Sequence, residues 1–313
     1  MIRTLLLSAG LALAACADPT PEMVEAAEPE VVMVDAAPTV DRAAIAAAVD
    51  AQPEDILARV QYRHPVETLE AIGIAPGMTV VDALPGSEGK GWYTGILART
   101  LGANGADGKL IGVDYSIDMW PEFGGFADAE FIEGKRTWAS DWVAGAEARE
   151  AAGEFGDADI DFEATTFGGA NGEYAGQADA VLFMRALHNL ARFEDRGGYL
   201  TEALAETYAM LKPGGVVGVV QHRGPEELSD DWADGSNGYL KQSFVVDAFE
   251  GAGFELVSAS EVNANPLDIP TEDDVVWRLP PSLGTSRENP ELKAEMEAIG
   301  ESDRMTLVFR KPA

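Results

Sequence analysis

Short apolar runs recur along this chain, and each stops on a polar residue or a turn. Thr79 to Leu84, Leu110 to Asp114, Ala180 to Met184 and Val216 to Gln221 are the clearest. Runs of this length, bounded by turn residues, fit strands buried on both faces, as in a parallel sheet. A further strand is expected near Ile160 to Glu163, and two final ones at Phe254 to Ser258 and Met305 to Phe309. Between the runs lie segments with helical spacing: Trp92 to Leu101, Tyr199 to Leu211 and Ser243 to Ala252. Lys212-Pro213-Gly214-Gly215 stops the second of these and opens the next strand. Strands alternating with helices predict an α/β fold. The seven runs should form a mostly parallel sheet.

The flanking segments are less regular. Asp41 to Val60 reads as helical, with Asp41 as N-cap and Pro53 restarting the helix at Glu54. His64-Pro65 breaks it, and Val66 to Ile72 is a second short helix. Residues 121–159 hold two tryptophans, many acids and a helical piece near Ser140 to Ala152. They read as an insertion covering part of a site, with the tryptophans in a small core. Asn263 to Asp303 reads as a long loop containing five prolines.

Residues 1–16, MIRTLLLSAGLALAAC, have a positive start at Arg3 and an apolar core too short to span a bilayer. The segment resembles the signal peptide of bacterial lipoproteins, which is cut before the cysteine that ends the lipobox, and that cysteine is acylated. That resemblance implies lipidation at Cys16, the chain's single cysteine. It also implies export to the periplasmic side of a cell envelope, with membrane contact through the lipid anchor only. Residues 17–40 carry no base and no amphipathic period and are expected to be a disordered tether. Residues 41–313 would then be the folded domain.

Composition narrows the partners. With 54 acids against 22 bases the formal charge is −32, which argues against nucleic acid and against an anionic membrane surface. No His, Cys and Asp cluster has metal-ligand spacing, so no metal is expected. Acids close to the site would disfavour an anionic acceptor, but the sequence does not place them.

The candidate chemistry sits between Thr79 and Ser116. An apolar run ending in a turn, a helix, and a second apolar run ending in Asp114 make one β-turn-α-turn-β unit. Such a unit binds nucleotide-like cofactors beyond the carboxyl ends of its strands. The turn Gly86-Ser87-Glu88-Gly89-Lys90-Gly91 is neither a phosphate loop, because Gly91 follows the lysine, nor a dinucleotide fingerprint, because the spacing does not fit. A cofactor with a ribose and no phosphates remains.

"VVDALPG" followed by "WYTGILA", Asp114 at the end of the next strand, and "MLKPGGVVGVV" further on resemble class I S-adenosylmethionine-dependent methyltransferases. With "ALHNL" and the ending "LVFRKP", they look like a branch of bacterial predicted methyltransferases. The match starts near Pro65 and departs from the class at Leu84, where the usual first glycine stands.

The resemblance implies a Rossmann-like fold, a mostly parallel seven-stranded sheet with helices on both faces and a final antiparallel strand formed by the Phe254–Ser258 and Met305–Phe309 pair. It also implies S-adenosyl-L-methionine as cofactor and a small-molecule acceptor. Asp82 would orient the turn and reach the cofactor's amino group, directly or through water. Gly86, with Gly89 or Gly91, would allow close approach. Asp114 would hold the ribose and Tyr115 would flank the adenine. Thr165 or Thr166 would meet the adenine edge. Arg185 to His188 would sit beside the acceptor, with His188 as catalytic base and His222 as second choice. Plainer readings stand beside these: Asp114 as a helix cap, Gly86 as an ordinary turn, His188 as a capping residue. The alternative function is a non-catalytic, membrane-tethered binder of a nucleoside-like small molecule on the same fold.

Overall fold

The expected N-cap at Asp41 forms: its carboxylate accepts from the Ala44 amide in a computed structural model that describes residues 39–313. The expected lipidation site, Cys16, and residues 17–38 of the expected tether lie outside the described residues. Four helices precede the sheet: α1 (Arg42–Asp50), α2 (Glu54–Leu57), α3 (Val60–Arg63) and α4 (Pro65–Ile72). Pro65 opens α4, and Gly73 closes it in the left-handed conformation that glycine adopts without a Cβ penalty.

The sheet then alternates with helices. The order is β1 (Thr79–Ala83), α5 (Thr94–Leu101), β2 (Gly108–Asp114), α6 (Ala129–Lys135), α7 (Trp138–Ala151) and β3 (Ile160–Thr166). After these come α8 (Ala170–Glu173), β4 (Ala178–Met184), α9 (Leu187–Arg192), α10 (Glu194–Gly197), α11 (Tyr199–Met210) and β5 (Leu211–Gly224). The chain closes with β6 (Leu240–Lys241), α12 (Gln242–Gly251), β7 (Glu255–Ser260), α13 (Pro290–Ile299) and β8 (Arg304–Arg310). The strand order is β3-β2-β1-β4-β5-β8-β7. The first five are parallel, and β8 runs antiparallel to both neighbours. This is the doubly wound, mostly parallel sheet that the apolar runs predict. The two-residue β6, paired with β5, is an eighth strand too short to show as a run.

Two buried layers hold the sheet. One face packs Val81, Val113, Phe183 and Val219 against α9, α11 and α12. The other packs Val80, Leu110, Ala180 and Leu182 against α1, α4, α5 and α7. Helices therefore cover both faces.

Three expectations need correction. First, α7 packs on β2 and β3 as their crossover helix, with Trp138 and Trp142 in its core, so the extra segment is narrower than residues 121–159. It comprises a 3-10 segment, Ile117–Phe126, and α6. Second, α11 ends at Met210 as the turn residues require, but β5 already starts at Leu211, so Lys212 to Gly215 lie within it at an irregularity in its pairing with β4. Third, the loop Asn263 to Asp303 contains α13, capped by Asn289 with Pro290 in its first turn. None of the α13 residues is buried, so it has no apolar stripe to announce it.

Candidate functional site

At the end of β1 the chain turns sharply. The Leu84 amide donates to the Val113 carbonyl at 2.7 Å, and Leu84 takes φ 59°. That conformation strains a side chain with a Cβ. Gly86 follows at φ 89°, and its carbonyl accepts from the Trp138 indole at 2.9 Å. The other two glycines work differently from expectation. A Cβ on Gly89 would lie 2.6 Å from the Ala146 amide of α7, and one on Gly91 would lie 1.8 Å from the Pro85 carbonyl. Both let the turn pack against protein, and neither lines the cavity beside it.

That cavity, about 580 Å³, opens beyond the carboxyl ends of β1 and β2. Leu84 and Gly86 border it on one side, Asp114 lies on its floor, and Trp120, Phe131 and Lys135 enclose it. Asp114 is 3% exposed. One carboxylate oxygen accepts from the Tyr115 amide at 2.9 Å, and the other from the Lys135 ammonium at 2.7 Å. Burial pushes the Asp114 pKa up, and Lys135 opposes that shift. The Lys135 ammonium also sits 4.0 Å from the centre of the Trp120 ring, a cation–π contact.

Two further candidates lie off this cavity. The Tyr115 ring is buried in the core, its hydroxyl donating to the Ala186 carbonyl at 2.8 Å, so it does not face the cavity. Thr165 and Thr166 are half-buried on β3 and do not line it either. Trp120 and Phe131 supply the aromatic walls instead.

Asp82 is 3% exposed and lies on the same face of β1 as Val80. Among the described residues nothing hydrogen-bonds its carboxyl. Burial alone raises its pKa from 3.8 to about 7. A folded pKa above the unfolded one means that burying the acid costs stability once it must ionise. The cost is absent below about pH 4 and complete above about pH 7. Asp82→Asn is therefore expected to stabilise the protein at pH 8 by on the order of 2–4 kcal/mol and to add nothing at pH 4. Thermal unfolding of both proteins across that range checks this; a gain independent of pH would contradict it.

A second cavity, about 350 Å³, opens at the same end of the sheet beyond β4 and β5. Leu84 borders both cavities. Arg185, directly after β4, takes φ 64°, a second strained position. His188 on α9 and His222 on β5 face each other at 5.8 Å between ring centres. The His222 Nδ1 contacts the Ser302 hydroxyl at 2.5 Å, while the buried His188 Nδ1 has no partner. Burial, with Arg185 and Arg192 nearby, pushes His188 down to about 4. Loss of water and the neighbouring cations push His222 well below its ordinary value. The outer wall comes from the segment after β7, at Val276 to Ser282, Glu301 and Ser302. Behind it the buried Glu301 carboxylate accepts from Arg59, from Arg63 at 3.1 Å and from Arg304 at 3.1 Å.

No family model matches this chain, and no curated protein matches its sequence. Solved structures do show a likeness. A SAM-dependent methyltransferase from Aquifex aeolicus is 16% identical over 72% of this chain and 94% of its own, with a TM-score of 0.42. A geranyl diphosphate methyltransferase, in complex with GPP and sinefungin, is 14% identical over 88% and 87%, with a TM-score of 0.46. The cyclase SpnF is 17% identical over 80% of both chains, also at 0.46. Function has to be read from the site itself.

The structure thus brings Gly86 and Asp114 to one cavity and His188, His222 and Arg185 to the next. Lys135, Trp120 and Glu301 are site residues that sequence reading missed. Lys135 had a signal: it is the first base after Asp114, at the end of twenty residues without Lys or Arg.

Proposed function

We propose that this protein transfers a methyl group from S-adenosylmethionine to a small molecule, with the donor in the first cavity and the acceptor in the second. One observation carries the reading. A buried acid ends β2 on the floor of an aromatic-walled cavity, and a second, histidine-lined cavity adjoins it across Leu84. The first cavity's volume is within the range of small-molecule sites. Its residues fit a nucleoside with a charged tail. Asp114 would accept from ribose hydroxyls, Trp120 and Phe131 would flank the adenine, and Gly86 would admit the amino-acid tail.

When bound, the cofactor supplies a methyl group on a sulfonium, ready for in-line displacement. The chain's own residues would align the reactants and exclude water. Leu84 would set the distance between them. The neutral His188 imidazole would take the proton of a hydroxyl or amine acceptor.

Calorimetric titration with S-adenosylmethionine and S-adenosylhomocysteine tests the donor site. Micromolar binding is expected, and folded protein that binds neither removes the reading. With an acceptor found by screening, His188→Ala is expected to lower kcat by roughly a hundredfold. The His188 pKa of about 4 sets the pH profile. The base is neutral above that value, so activity should stay level as pH falls from 8 to 5.5. An acid limb between pH 6 and 7 would rule out His188 as the base.

A further inference from the structure

In a chain of net charge −32, a cluster of cations calls for a reason. Arg59, Arg63, Arg185 and Arg304 gather around the single carboxylate of Glu301. Four arginines and one glutamate leave three positive charges uncompensated within the cluster. Arg59, Arg63 and Arg304 are held by Glu301, but Arg185 is not. Among the described residues its guanidinium has no hydrogen bond or ion pair, although it senses Glu301 and Arg304 electrostatically. Among the described residues it is the one arginine or lysine lining the second cavity, beside His188 and His222, which burial keeps neutral.

Its backbone is fixed as well. The Arg185 amide donates to the Val220 carbonyl at 2.6 Å, and φ is 64°. A left-handed position occupied by a long charged side chain costs about 1–2 kcal/mol that glycine would avoid. An arginine held there, unpaired and facing a cavity, is placed to meet something that enters. One side of the cavity is apolar, with Leu84, Met184, Val276, Trp277, Leu279 and Pro281, and His188 and His222 complete the lining around Arg185. The single acid lining the cavity, Glu301, is already engaged by three arginines. This reverses the expectation that acids near the site would turn anions away.

We infer that the second cavity binds a small carboxylate with an apolar body of about the size of one aromatic ring, its carboxylate taken by the Arg185 guanidinium. Calling that molecule the methyl acceptor rests on the methyl-transfer reading; the anion site does not. The planar fork of arginine matches two carboxylate oxygens, which a lysine would hold less specifically. Arg63 and Arg304, set behind it, add attraction without needing to touch the ligand.

The test titrates the full chain at low salt with benzoate, benzamide and inorganic phosphate as probes. Benzoate is expected to bind at least about tenfold more tightly than benzamide, the difference one charge-assisted hydrogen bond makes. It should also exceed phosphate, which has no apolar body. Arg185→Gln should weaken benzoate by about tenfold or more and bring it level with benzamide. Arg185→Lys, which keeps the charge and loses the fork, should fall between, and it decides the matter if the glutamine variant does not fold. Equal binding of benzoate and benzamide, tighter binding of phosphate, or an unchanged Arg185→Lys and Arg185→Gln would each overturn the proposal. S-adenosylmethionine is titrated separately into the wild-type protein. If it fails while Arg185-dependent benzoate binding persists, the methyl-donor reading falls and the anion site stands. If it binds while benzoate does not, the reverse holds.

Discussion

Asp114→Ala is expected to weaken S-adenosylmethionine binding by about a hundredfold while the protein stays folded. Two effects add. The ribose loses hydrogen bonds to a charged acceptor, each worth about 1.5–3 kcal/mol. Lys135, whose ammonium lies 2.7 Å from Asp114, is then left without its counterion beside the cavity. The incoming donor carries a sulfonium, an ammonium and a carboxylate, so its net charge is positive and the unpaired lysine repels it overall. The double variant Asp114→Ala with Lys135→Met separates the two. It should recover the repulsive part and not the hydrogen bonds, leaving affinity between those of the single variant and wild type. Calorimetry on the three proteins measures this. Affinity of Asp114→Ala within threefold of wild type would mean that Asp114 only caps the Tyr115 amide.

The largest stability effect is expected at Glu301. Its carboxylate is 3% exposed and joins residues from α3, the loop after α2 and the start of β8. Removing one partner of a buried ionic cluster leaves like charges facing each other without water. Glu301→Gln should cost about 3–5 kcal/mol. At a few degrees per kcal/mol for a domain of this size, the melting temperature falls by roughly 6–20 °C. The pH dependence has a definite sign. Burial raises the Glu301 pKa, but the attraction of Arg304, Arg63, Arg185 and Arg59 outweighs it, so the folded pKa is below 4.5. The contribution is therefore fully present above about pH 4.5 and fades as pH falls below it, and the gap between wild type and variant should narrow there. A melting point within about 2 °C of wild type at pH 7 would show that the cluster is solvated.

What could be read ahead of the structure was local. Each apolar run became a strand because period and composition act over five or six residues, and Asp41 capped the helix that follows it. His188 follows β4 and His222 lies near the end of β5, so they meet because the carboxyl ends of parallel strands share one side of a sheet. Other site residues depend on distant partners. Arg63 and Glu301 meet across 238 positions, and no window of sequence contains both. Lys135 reaches Asp114 only because α6 folds back over the carboxyl end of β2. Gly89 and Gly91 show the same dependence on distant partners. Glycine marks a close approach, but the sequence does not say whether a ligand or helix α7 approaches.

The contrast between the acidic chain and its arginine-lined interior has a consequence for rates. An anion drifting toward this molecule first meets a repulsive outer field and then, inside, an attractive well. The barrier is exposed to solvent and the well is not, so added salt screens the first far more than the second. Arrival should quicken with ionic strength while the time spent bound changes little, the opposite of the usual steering of charged ligands. The acidic coat would act as a turnstile, slowest in dilute buffer.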